Sequence, residues 1–108
     1  MASDKIQKLI NIDVRQIQVN FPSAITITKG AYTNLFVNEN LKNKQSAIDP
    51  IPSDKTLIAA IPTWVNSAAT AGVTYDTYVH DGLINVGASC ANANSVSVSA
   101  IRLVTFWI

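Results

Sequence analysis

The dipeptide Asp81-Gly82 sits between two stretches that each alternate apolar and polar residues, and no other feature constrains the chain as tightly. Asp-Gly suits the two-residue hairpin turn whose central residues both take positive φ. If these two residues form that turn, His80 faces Leu83, Tyr78 faces Asn85, Asp76 faces Gly87 and Thr74 faces Ser89. The other face then pairs Val79 with Ile84, Thr77 with Val86 and Tyr75 with Ala88. One face is nearly all apolar and the other nearly all polar. A slip of one residue would scramble both, so the pattern predicts a single antiparallel register.

The same period of two recurs along the chain. Ile10, Ile12 and Val14 alternate with polar residues, and so do Ile17, Val19 and Phe21, but the phase slips at Arg15-Gln16. That slip predicts a β-bulge there, with Pro22-Ser23 ending the strand. Ile25 and Ile27 begin a further extended piece, and Lys29-Gly30 turns it into Tyr32–Val37. Residues 38–55 have no sustained period and contain Pro50 and Pro52. A loop this long is either functional or an ordinary crossing between two sheets. Thr56–Ile61 follows, interrupted by Pro62 before Trp64, and 68–72 is a small-residue turn. A second turn, 91–95 (ANANS), leads into Val96–Ile108. Residues 3–10 have helical spacing over one short turn, or are the stub of an upstream stalk.

Evenly spaced strands without a long helical pattern predict one all-β domain over residues 1–108, an antiparallel two-sheet, jelly-roll-like β-sandwich. From Ile101 onward the last strand is apolar on both sides, so it is expected to be central and covered twice. Leu103, Phe106, Trp107 and Ile108 are therefore the expected oligomer interface, since a sandwich of 108 residues has no helix to cover the second face.

Charge and chemistry narrow the function classes. Eight basic and seven acidic residues give a net charge of +1, and only 14% of residues are charged. No basic stripe marks a nucleic-acid reader. No apolar run approaches the length that spans a bilayer, so no membrane insertion is expected. The Met-Ala-Ser-Asp start carries no signal-peptide pattern. The single cysteine, Cys90, reads as a small buried hydrophobe. There is no nucleophile elbow, phosphate loop or two-histidine metal spacing, so no catalytic residue, metal or cofactor is expected. His80 is the only histidine, and it reads as an exposed residue at the hairpin tip.

The polar face of the hairpin carries what recognition chemistry there is. Tyr78, Asp76, His80 and Asn85 combine aromatic, carboxylate and amide groups, with Gly87 leaving room for a ligand to approach. Sugars are held by such sets: a ring packs on the C–H face while planar polar groups bond the hydroxyls. Trp64, beside Pro62 and a turn, joins them as an aromatic expected at the surface. The plain alternatives are a solvated outer sheet face or a face covered by a neighbouring chain.

The stretch QIQVNFPSAITITKGAYTNLFV, a long loop, the hairpin closed by HDGLINVGA, an Asn/Ser turn and the strand SVSVSAIRLVTFWI together resemble the C-terminal head domains of bacteriophage tail-fibre and baseplate receptor-binding proteins. The resemblance lies in strand layout over residues 10–108 and transfers no individual binding residue. It implies a trimeric β-sandwich or barrel, virion-borne and made in a host cytoplasm. Its implied partners are a bacterial surface saccharide, further copies of itself and other tail or baseplate proteins. A structural virion protein without a ligand is the alternative. A saccharide hydrolase would need paired carboxylates, for which Asp76 and Asp81 are the candidates on the hairpin.

Overall fold

The structure is a computed structural model that describes residues 11–66, 72–91 and 94–108. The expected helical turn at 3–10, most of the 68–72 turn and the middle of the 91–95 turn lie outside the described residues. Six strands follow in order: β1 (Asp13–Ile27), β2 (Tyr32–Glu39), β3 (Leu57–Val65), β4 (Val73–His80), β5 (Leu83–Cys90) and β6 (Val96–Trp107). A single turn of 3₁₀ helix, Leu41–Asn43, follows β2. The first sheet has the order β1-β6-β3 and the second β2-β5-β4, and all strand pairs within them are antiparallel. The chain is thus an all-β protein of two antiparallel three-stranded sheets, a small β-sandwich.

The hairpin forms in the expected register, from His80↔Leu83 through Val73↔Cys90. Asp81 and Gly82 have φ of +52° and +75°, the pair of positive values that an Asp-Gly turn supplies. Inward side chains of β5, among them Ile84, Val86 and Ala88, meet Ile17 and Val19 of β1 and Ile101 and Leu103 of β6 in one core.

β1 departs from the expected layout. Its pairing with β6 is regular from Asp13 to Asn20, straight through Arg15-Gln16, and the register shifts only between Asn20 and Ile25. Pro22 does not end the strand; it lies inside that irregular stretch. The apparent slip has a chemical cause. Arg15 and Asp13 take half-buried positions on the Ile17 side of the strand, whereas Val14 is exposed. Arg15 Nε and Nη2 donate to the two Asp13 carboxylate oxygens at 2.7 and 2.8 Å, and Nη1 donates to the Pro50 carbonyl at 2.8 Å. The hydrogen bond from Arg15 holds the Asp13 carboxyl below its ordinary range against partial desolvation, helped by Lys55 Nζ at 3.6 Å.

Residues 40–56 cross from the second sheet to the first, and on the way they cover the free edge of β1. Ala47 and Asp49 donate backbone N–H groups to the Gln18 and Gln16 carbonyls at 2.9 and 3.1 Å. Gln16 N–H donates back to Asp49 Oδ2 at 2.7 Å. An edge strand otherwise presents a row of unpaired groups to other chains. Pro62 lies within β3, where it is tolerated because β3 is an edge strand.

β6 is the middle strand of its sheet, as expected, but the described residues cover only one side of its C-terminal half. Ile101, Leu103, Thr105 and Trp107 point into the core, while Arg102, Val104 and Phe106 are half-exposed and Ile108 is exposed. This corrects the expected interface. Leu103 and Trp107 are 0% and 1% exposed within a single chain, so association has no further area of theirs to bury. Trp107 Nε1 donates to Thr105 Oγ1 at 2.7 Å, and that hydroxyl donates to the Arg15 carbonyl at 3.0 Å, which satisfies both buried polar side chains. Phe106 and Ile108 remain on the outer face, with Val14 of β1 and Ile61 of β3.

Candidate functional site

Alternation along β4 and β5 places Thr74, Asp76, Tyr78 and His80 on the outer face of the second sheet, across from Ser89, Gly87, Asn85 and Leu83. Four of the five expected binding residues therefore share one surface. Trp64 does not join them. It lies on β3, opposite Arg102 in the first sheet, and faces away on the other side of the sandwich. Trp64 is 40% exposed, and its ring is covered on one side by the Arg102 guanidinium at 4.7 Å, which also donates to Gln18 Oε1 at 2.9 Å. That cation–π contact helps hold so large a side chain on an open face.

On the shared surface, the space above Gly87 is already filled by the protein itself. The Tyr32 ring reaches across from β2, and a Cβ at position 87 would fall within its outer edge. Its hydroxyl continues to β4 and donates to Asp76 Oδ2 at 3.1 Å. Desolvation first, and then the neighbouring carboxylate, push the Tyr32 phenol above its ordinary value. The glycine in mid-strand did signal a close approach. The group that approaches is a side chain from 55 residues upstream, and no local pattern announces it.

Asn85 is similarly committed. Its Oδ1 accepts from the Asn38 backbone N–H at 3.0 Å, and its Nδ2 donates to Asn38 Oδ1 at 3.2 Å. Asn38 has a φ of +46°, a strained value that asparagine tolerates better than most residues. The clamp holds the end of β2, where pairing with β5 shifts register between Phe36 and Glu39.

Tyr78 and His80 remain open. Tyr78 is 62% exposed, and its ring stacks on the His80 imidazole with centroids 6.0 Å apart and planes 15° from parallel. His80 Nε2 lies 2.9 Å from Asp81 Oδ2 at the hairpin tip. The face thus offers a flat aromatic pair beside the His80–Asp81 contact, on an antiparallel sheet. Asp76 Oδ2 accepts from Tyr32, and Asp81 Oδ2 lies 2.9 Å from His80 Nε2, so the two carboxylates have separate partners. Among the described residues there is no group of three His, Cys, Asp or Glu side chains placed to hold a metal ion. Cys90 is buried, with Sγ 3.6 Å from the Asn94 carbonyl. No helix among the described residues is long and apolar enough to cross a membrane. No protein-family model, curated protein or solved structure matches this chain.

Proposed function

We propose that this domain is a non-enzymatic binding module, the head of a phage tail-fibre or baseplate receptor-binding protein that recognises a bacterial surface saccharide. The observation that carries the reading is the Tyr78–His80 pair, an exposed aromatic platform beside Asp76 and Asn85, which are already bonded to Tyr32 and Asn38. A sugar ring binds such a platform through its C–H face, and the rigid strand beneath keeps the ordering cost low. Self-association as a homotrimer belongs to the same reading. It is supported by the low charge of the chain and by the apolar outer face of the first sheet, where Ile61, Val104 and Phe106 lie side by side.

A glycan array carrying bacterial surface saccharides tests the binding reading. Tyr78→Ala is expected to weaken the bound saccharide roughly 10-fold, the equivalent of about 1.4 kcal/mol, with the melting temperature unchanged because the ring faces solvent. Tyr75→Ala, on the inward face, is expected to lower the melting temperature instead. An array on which the intact protein binds nothing would favour the ligand-free virion protein, and release of reducing ends from a bound polysaccharide would show a hydrolase.

A further inference from the structure

The irregular stretch of β1 builds a groove on the opposite edge of the sandwich from Tyr78. Between Asn20↔Ala100 and Ile25↔Val98, β1 advances five residues while β6 advances two, so β1 bows out of the ladder around Pro22. It bows toward the segment after the 3₁₀ turn, which is held at both ends. Leu41 is plugged into the core, Lys44 N–H donates to the Leu41 carbonyl at 2.9 Å, and Ala47 N–H donates to Gln18. Between these walls lies a cavity of about 440 Å³, open to solvent and within the size range of small-molecule sites.

The lining has two characters. Half-buried Phe21 supplies an apolar floor, with exposed Pro22 beside it, and the Phe21 ring is set by an edge-on contact with Phe36 at 5.7 Å and 62°. The rim carries Asn20, Asn43 and Gln45. The Asn20 amide is oriented by Gln18 Nε2, which donates to its Oδ1 at 3.0 Å and leaves its NH₂ free to donate. The one charged lining residue, Lys44, is paired with Glu39 at 3.4 Å, so its ammonium is already offset. A floor that accepts C–H groups, amides on the rim and no unbalanced charge match an uncharged polyhydroxylated ring. Bulges commonly re-aim side chains beside binding sites.

We propose that this groove is a second carbohydrate subsite, which takes one neutral pyranose unit of a surface glycan between Phe21 and the Asn20, Asn43 and Gln45 amides. The proposal rests on the saccharide-binding reading and adds to it a site remote from the Tyr78 platform.

The test is a ¹⁵N-correlation NMR titration of the full chain with methyl α-glucoside, methyl α-galactoside, methyl α-mannoside, N-acetylglucosamine and rhamnose, each carried well past a Kd of about 1 mM. N-acetylneuraminic acid serves as the charged control. At least one neutral sugar is expected to shift the amides of Asn20, Phe21, Ser23, Ala24 and residues 43–47 in a saturable way. Gln45→Trp, a change at an exposed rim position that fills the groove, is expected to weaken this binding at least 10-fold while distant amides keep their positions. Tyr78→Ala is expected to leave it unchanged. Shifts confined to residues 74–80 would overturn the groove site and keep the saccharide reading. Silence at every amide, with an empty glycan array, would overturn both. A response to the acid sugar alone would overturn the assignment to neutral rings.

Discussion

Replacing Gly87 by Ala sets the Tyr32 ring against a methyl group, and the outcome depends on whether that ring is really seated there. The new Cβ would overlap the ring edge, so Tyr32 must swing off the sheet and release Asp76. Tyr32 is 55% exposed, so a little under half of its surface is covered. For an aromatic side chain that is roughly 90 Å², or about 2 kcal/mol at about 25 cal/mol per Å², an upper bound. The exposed hydrogen bond adds about 0.5–1 kcal/mol. Against these losses, Ala in a strand gains about 0.5–1 kcal/mol over Gly. The net expectation is a destabilisation of at most about 1.5–2.5 kcal/mol, a fall in melting temperature of at most about 6–20 °C. The decisive measurement is a double-mutant cycle by thermal and urea unfolding. In a Tyr32→Ala background nothing occupies the site, so Gly87→Ala should become neutral or stabilising. Equal destabilisation in both backgrounds would refute the reasoning, because the cost would then lie in the backbone at position 87.

Three further outcomes are expected. Gly82→Val should destabilise by about 1 kcal/mol or more in urea unfolding, since residue 82 has a φ of +75° and its Cβ would come within 3.3 Å of Thr56 Cγ2; an unchanged midpoint would contradict the turn. The depressed Asp13 carboxyl contributes stability that is fully present above the unfolded value near 3.9 and is lost as pH falls through the lower folded value. Asp13→Asn should therefore flatten the fall in melting temperature between about pH 5 and about pH 2, and two parallel curves would remove Asp13 from the acid limb. Trp107→Asp should unfold the chain outright, whereas Val104→Asp should leave it folded and shift its sedimentation to a smaller species; an intact chain that already sediments as a monomer at every concentration would end the trimer reading.

The second hairpin strand and its turn were legible because turn chemistry and both face patterns agree there, residue by residue, from Val73 to Cys90. β1 was misread at Arg15 because pattern reading assigns charged residues to solvent. Here the Arg15 guanidinium is satisfied by Asp13 and the Pro50 carbonyl, so it can stay half-buried while Val14 is pushed outside. The bowed stretch lay instead at Phe21–Ala24, which the sequence marks only by Pro22. The candidate face was half legible. Alternation placed Tyr78, Asp76, His80 and Asn85 together, but Tyr32 over Gly87 and Asn38 on Asn85 are pairings between distant strands. They follow from which strands become neighbours, and a period of two carries no information about that. Trp64 was rightly expected at the surface, yet on which surface depends on β3 pairing with β6.

The strand order β1-β6-β3 also bears on how the chain is made. β6 leaves the ribosome after both of its neighbours, so β1 and β3 must wait with Ile17, Val19 and Leu57 uncovered until residues 96–107 arrive between them. Among the described strands only the β4–β5 hairpin can close locally during synthesis, and hairpins form within microseconds. The rest requires contacts of long sequence separation, the slow class for folding. During that interval the nascent chain is exposed to premature pairing with its sisters, a kinetic hazard set by topology and untouched by any gain in final stability.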